Sequence, residues 1–202
     1  GVDVSDYNGT IDWKKVKDSG IDFAMIRIGG RGYGTEGTLY QDENAIKNIT
    51  EAKDNGIKVG VYFFSQAINT DEAIEEANYV KDILGDIKLD YPVAYDWEIV
   101  KDDDARTDNV SAYEATECAR AFCQTVESNG YTASIYSPSR ELYFKYDLSR
   151  LKDYDIWYCE YSDTPEFYYQ FSMWQYTTAG KVDGIEGEVD LNICFTGIAD
   201  YA

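Results

Sequence analysis

Short apolar runs alternate with amphipathic stretches along most of the chain. The runs "GVDVS" (1–5), "FAMIRIG" (23–29), "KVGVYFFS" (58–65), "PVAYDWEI" (92–99), "TASIYS" (132–137), "YDIWYCEY" (154–161), "FSMWQYT" (171–177) and "GEVDLNI" (187–193) read as strands. Each has a strand's length and its share of β-branched or aromatic residues. Between them, apolar spacing predicts helices over roughly 12–19, 41–55, 70–84, 111–129 and 138–152. The helix at 111–129 is the best marked: Ser111 is placed as N-cap, Glu114 completes a capping box, and Gly130 stands at the C′ stop.

Strands that alternate with helices imply a parallel sheet, and eight of them imply one that closes into a barrel. The last three strands have no helix between them. The 202 residues hold no low-complexity linker and no fixed-period repeat, so one domain over 1–202 is expected.

In such barrels the reactive groups stand at the C-terminal ends of the strands. Strand one ends near Asp3, strand four at Asp96 and Glu98, and strand eight carries Asp190. Tyr62, Phe64, Tyr136, Trp157, Tyr161 and Gln175 also fall in the late halves of their strands. An isolated Asp is most often a solvated turn residue. Asp96 and Glu98 differ because they follow an apolar run at i and i+2, and so point to one side of the strand.

Composition narrows the chemistry. Aromatics make up 15% of the chain and include 19 Tyr, enough to wall a cleft with rings. The chain contains no histidine, which excludes Ser-His-Asp, Cys-His and HExxH sites and leaves carboxylates, Tyr, Lys or Cys for acid–base work. Cys118, Cys123, Cys159 and Cys194 form no CxxC and read as buried thiols, so no metal site and no cofactor is expected. A net charge of −20 without a basic stripe argues against nucleic acid and anionic membrane as partners. No apolar run is long enough to span a bilayer. The chain opens directly in a strand with no leader pattern, so a mature or excised domain is expected.

Two carboxyls crowded in a ring-lined cleft cannot both ionise easily. One is pushed up and stays protonated as a general acid, while the other stays charged beside a cationic transition state. That pairing serves glycoside hydrolysis. Two classes stand open at this point: a glycosidase, a chitinase among them, and a catalytically silent glycan-binding domain. The long DxxDxDxE type of motif is absent, which counts against a chitinase. An acid pair is superfluous to a binder.

"GVDVSDYNGTIDW", "YPVAYDWE", "WQYT" and "GIEGEVDLN" resemble the signature segments of glycoside hydrolase family 25, the Chalaropsis-type lysozymes or N-acetylmuramidases. The resemblance runs in order across nearly the whole chain. It implies a modified TIM-like barrel of five βα units followed by three further strands. It also implies cleavage of the β-1,4 bond between N-acetylmuramic acid and N-acetylglucosamine in peptidoglycan glycan strands. By it, Glu98 matches the general acid, Asp96 its partner carboxylate, Asp3 and Asp190 the remaining cleft acids, and Tyr62 a substrate-binding position. Gln175 lies in a further family motif. Whether Asp96 or the sugar's own 2-acetamido group supplies the nucleophile stays open. A monomer acting at the cell wall is implied, secreted or delivered as a phage endolysin, with room for a wall-binding module outside this chain.

Two other motifs compete for attention. "GYGTEG" (32–37) matches GxGxxG, but the next strand ends without the acid a dinucleotide site requires. A glycine-rich rim loop shaping the cleft is expected instead. "KDDDAR" (101–106) lacks EF-hand spacing and reads as a solvated acidic loop beside the acid strand.

Overall fold

In a computed structural model, which describes residues 1–100 and 104–195, the eight expected strands form, and a ninth joins them. The strands are β1 (Val2–Val4), β2 (Phe23–Arg31), β3 (Leu39–Gln41), β4 (Lys58–Ser65), β5 (Val93–Trp97), β6 (Ala133–Pro138), β7 (Asp155–Cys159), β8 (Met173–Gly180) and β9 (Val189–Cys194). The helices are α1 (Trp13–Asp18), α2 (Ala45–Asp54), α3 (Thr70–Leu84), α4 (Ala112–Ser128) and α5 (Ser139–Phe144).

The sheet runs β1-β9-β8-β7-β6-β5-β4-β2-β3, and β1 also pairs with β2, so eight strands close into a barrel with β3 as an antiparallel flap. Within the eight-strand barrel, pairing is parallel from β1 through β2 and β4 to β8, and of the barrel strands only β9 runs antiparallel, against both β8 and β1. Five βα units followed by three strands is the expected architecture.

Alternation along the strands divides the core. On β5, Val93, Tyr95 and Trp97 pack outward against the helices, while Ala94 faces the barrel interior. Phe122 of α4 lies 6.3 Å from the Phe63 ring and 5.0 Å from Tyr95, joining helix to sheet. Truncating such a residue to Ala costs about 3–5 kcal/mol. Inside, Phe23 stacks on Tyr91 at 4.8 Å to close the barrel floor, with Met25, Ala94 and Met173 in the same cluster. β4 crosses this floor at Gly60, where a Cβ would stand 2.6 Å from Met25 Sδ and 2.7 Å from Tyr91 Cβ.

Helix boundaries follow capping chemistry. Ser111 and Glu114 form the expected capping box on α4, and Gly130 takes φ +89° at the C′ position. The helix expected over 41–55 starts only at Ala45, because Asp42 is turned to other partners: its carboxylate accepts from Arg27, Asp6 N and Asn44 N. The helix expected over 138–152 is split. α5 ends at Phe144, and Asp147 caps a separate 3₁₀ turn over Leu148–Arg150 by accepting from Ser149 N.

The "GYGTEG" segment is the hairpin loop between β2 and β3. Arg31 Nη1 donates to Gly37 O at 2.8 Å and Arg106 N donates to Tyr33 O at 2.9 Å. Arg31 also reaches the fully buried Glu76 of α3 at 2.7 Å, and Ser65 donates to the same carboxylate at 2.6 Å. Of the 101–106 loop, 101–103 lie outside the described residues; Arg106 is half-buried and forms a two-pronged pair with Glu72, at 2.7 and 3.0 Å. Among the described residues no helix is long and apolar enough to cross a membrane.

Candidate active site

The C-terminal ends of the parallel strands surround a cavity of about 400 Å³. Nine of the ten expected site residues line it: Asp3, Tyr62, Asp96, Glu98, Tyr136, Trp157, Tyr161, Gln175 and Asp190. Phe64 does not. The cavity is centred over β5 to β7, and β4 contributes only Tyr62. The "GYGTEG" loop does not line it either, because Arg31 and Arg106 pull that loop toward α3. A larger depression of about 790 Å³ lies outside the barrel, lined by Leu148, Leu151, Phe167, Phe171 and Phe195, and it holds a single acid, Asp155.

Each carboxyl owes its direction to strand parity. Asp3 and Asp190 are directly opposed on the antiparallel pair β1–β9, so their side chains meet. Like charges in that arrangement repel, and sharing a proton relieves them. Burial, then the charge of Asp190, pushes Asp3 up to about 7, although Asn192 and Gln175 donate to it. Burial also raises Asp190, while its hydrogen bond with Asp3 acts the other way.

The second pair is Asp96, the penultimate residue of β5, and Glu98, just beyond its end. Burial raises Asp96 well above the carboxylate range, reinforced by the charge of Glu98 and the proton shared with it; the Arg27 cation pulls the other way. Burial raises Glu98 as well, while its hydrogen bond with Asp96 acts the other way and the charges of Glu141 and Asp190 add to the rise. Among the described residues no N–H or hydroxyl reaches the buried Asp96 Oδ1. Such an oxygen requires an explanation in a ligand or a shared proton.

A chain of neutral donors holds the far wall. Trp157 Nε1 donates to Asn192 Oδ1 at 2.8 Å, and Asn192 Nδ2 donates to Asp3 Oδ2 at 2.8 Å. Gln175 Nε2 donates to the same Asp3 oxygen at 2.9 Å, while its Oε1 accepts from Tyr136 at 3.0 Å and Tyr161 at 3.2 Å. The Trp157 ring meets Tyr136 edge-on at 4.6 Å and Tyr62 at 6.0 Å. The result is a slot with two proton-sharing carboxyl pairs and aromatic walls, suited to protonating a buried oxygen and stabilising positive charge nearby.

Several residues that shape this site escape the sequence reading. Asn192 follows Asp190 at i+2 and so faces the same interior, a signal that period-2 counting carries. Arg27, inside the apolar run "FAMIRIG", shares the interior face of Met25. Cys159 and Pro138 also line the cavity, and the Cys159 thiol is pushed up to about 11 by burial. Gln66 and Glu141, outside the strands, carry no periodic signal.

Comparison with known proteins places this geometry. The sequence profile of glycosyl hydrolases family 25 matches residues 2–185. The autolytic lysozyme of Clostridium acetobutylicum is 27% identical over 98% of this chain, which spans 56% of that protein. The modular autolysin LytC of Streptococcus pneumoniae, solved with a synthetic peptidoglycan ligand, is 28% identical with a TM-score of 0.82 over 95% of this chain and 45% of its own. A bacterial lysozyme from Streptomyces coelicolor superposes over 100% of this chain and 94% of its own with a TM-score of 0.82 at 22% identity, a likeness of fold. With nearly the whole chain covered by the family profile and the barrel shared with these structures, the protein belongs to glycosyl hydrolases family 25.

Proposed function

We propose that this chain is a peptidoglycan hydrolase that cleaves the β-1,4 bond between N-acetylmuramic acid and N-acetylglucosamine, with Glu98 as general acid and Asp96 as partner carboxylate. One observation carries the reading: two carboxyls at the end of β5 line one buried aromatic slot, where burial pushes both above the ordinary carboxylate range. Family membership and the lysozyme and autolysin relatives support the substrate class.

Within that reading the pair divides its labour electrostatically. Arg27 favours charge on Asp96, whereas Glu141 and Asp190 repel charge from Glu98. The bond between the two raises Asp96 and lowers Glu98, so in the free protein the shared proton lies toward Asp96; as the substrate donates to Asp96, the proton passes to Glu98, the less buried partner, for delivery to the leaving glycosidic oxygen. Charged Asp96 then accepts from the N–H of a 2-acetamido group, the donor that Oδ1 lacks within the protein. Tyr62, kept neutral by burial, donates to sugar oxygens. The substrate places the reaction at the cell wall.

Incubating the protein with purified peptidoglycan and with chitin, then identifying new reducing ends, tests the assignment. Muramic acid ends are expected. Glucosamine ends from chitin identify a chitinase-like enzyme, and no new ends identify a glycan binder.

A further inference from the structure

We propose that Tyr7 and Tyr40 form a second sugar-binding platform on the barrel rim, taking a pyranose ring of the same glycan strand beyond the bond that is cleaved. The inference rests on the hydrolase reading above and extends it to a subsite outside the cavity.

Tyr7 is 89% exposed, yet it is not a loose surface ring. The guanidinium carbon of Arg27 stands 4.9 Å from its centroid. Arg27 itself is buried, bonded to Asp42 at 2.9 Å and also to Asp6. The Tyr7 backbone lies in a one-turn 3₁₀ helix fixed by a reciprocal cap between Ser5 and Asn8. A single exposed aromatic normally needs no explanation. A buried cation pinned by two carboxylates directly beneath an exposed ring does, because burying that charge is costly and the surface ring alone gains little from it.

Tyr40 lies on the same side. It pairs with Gly30 across β2–β3, and its hydroxyl stands 2.5 Å from where a side-chain carbon on Gly30 would be, so only glycine leaves the ring its place. Its hydroxyl feels the charges of Arg27 and Asp6 and the neighbouring Tyr7 phenol.

The platform adjoins the cavity. Arg27 on β2 and Tyr62 on β4 are register partners in a parallel pair, so their side chains emerge next to each other on the interior face, and Tyr62 lines the cavity. β2 and β7 stand on opposite sides of the eight-strand ring, and Tyr161 follows β7. A glycan crossing the mouth from Tyr161 passes the acids and leaves over Tyr7 and Tyr40. With one face on Arg27, the Tyr7 ring offers its other face to the C–H face of a neutral sugar.

The test uses Glu98→Gln protein, to prevent turnover, titrated with peptidoglycan glycan fragments of two and of eight sugars. Adding Tyr7→Ala is expected to weaken the long fragment by about 3- to 10-fold, the size of one exposed aromatic contact, with the short fragment unchanged. Tyr7→Phe restores the long-fragment affinity, since the ring and not the hydroxyl stacks. Tyr40→Ala weakens the long fragment in the same selective way. Because Tyr7 is exposed, the melting temperature of Tyr7→Ala stays at that of its parent and shows the fold intact. Long-fragment affinity unchanged in Tyr7→Ala, or lost equally for both lengths, overturns the platform. Failure of the Glu98→Gln parent to bind either fragment overturns the hydrolase reading itself.

Discussion

Gln66 donates its side-chain amide to the main-chain carbonyl of Glu98 at 3.1 Å. β5 ends at Trp97, so Glu98 lies beyond the ladder and owes this anchor to a residue of another strand's exit loop. The Gln66 amide is itself oriented: Thr107 donates to its Oε1 at 3.1 Å, and its Nε2 also donates to Ser65 O at 2.9 Å. Arg106 adds a bond to Gln66 O at 3.0 Å while holding Glu72. The segment after the acid strand is thus strapped to the end of β4 and the start of α3.

Gln66→Leu removes the strap and leaves a carbonyl unpaired. If Gln66 positions Glu98, kcat falls by about 10- to 100-fold with KM near wild type, since misplacement of a reacting group by about 1 Å has that effect. Thr107→Val, close in shape, frees the Gln66 amide to turn and gives a smaller loss in the same direction. Steady-state kinetics on solubilised glycan, beside melting curves, separate the cases: lower stability with unchanged kcat leaves Gln66 a purely structural role.

Glu98→Gln keeps the shape of the acid and removes its proton. Turnover drops by about 10²- to 10⁴-fold, the usual weight of acid–base catalysis, with glycan affinity retained. In the wild type, kcat declines as pH rises through the raised pKa of Glu98, because the acid must be protonated. A Glu98→Gln rate within about threefold of wild type removes Glu98 from the role.

The residues that could be read from sequence share one property: they sit on strands or within two residues of their ends, where period-2 parity fixes direction. Asp96 and Glu98 after "PVAY", Tyr136 in "TASIYS", and Gln175 and Asp190 on the last two strands all face the cavity as parity requires. Gln66 lies in a loop, where no period predicts a direction, and its contact with Glu98 spans 32 positions. β3 is three residues long and half-exposed, too short for alternation to register. The end of α5 depended on Asp147 choosing to cap a new turn over continuing the old one, a contest between local hydrogen bonds that apolar spacing does not record. Phe64 obeys parity, but the off-centre cavity passes it by.

The buried acids make stability depend on pH in an unusual direction. On folding, Asp3 rises from 3.8 to about 7 and Glu76 from 4.5 to about 7, each chiefly by burial. Between the lower and upper values the folded protein holds protons that the unfolded chain has released, so stability falls as pH rises through that window. Glu72 and Asp90 behave oppositely. Burial pushes both upward but is outweighed, by Arg106 at Glu72 and by the Val59 N–H and Lys53 at Asp90, and their contribution is lost as pH falls through their lowered values. The melting temperature is therefore highest near pH ~5 and declines by several degrees toward pH ~8, at about 2–4 °C per kcal/mol for a domain of this size. A melting temperature that climbs steadily from pH 5 to 8 contradicts the buried-acid assignment.

The geometry of the acid pair bears on stereochemistry. An inverting hydrolase places its carboxyls about 6.5–9.5 Å apart, with a water between them on the far side of the sugar. Asp96 and Glu98 share a hydrogen bond, which leaves no room for that water. The other candidate base, Asp3, is occupied: one of its oxygens takes N–H bonds from both Asn192 and Gln175, and its carboxyl is paired with Asp190. A nucleophile from the same face of the cleft, or from the substrate, remains. Asp96, whose Oδ1 is short of a donor, is placed to hold the 2-acetamido N–H while that group's oxygen attacks the anomeric carbon. We therefore predict retention of the β configuration through an oxazolinium intermediate. NMR of the first-formed product, read before mutarotation, decides the outcome: an initial α-anomer rules out retention. A covalent sugar adduct on Asp96, detected by mass spectrometry of a trapped intermediate, keeps retention and replaces the acetamido group with Asp96 as nucleophile.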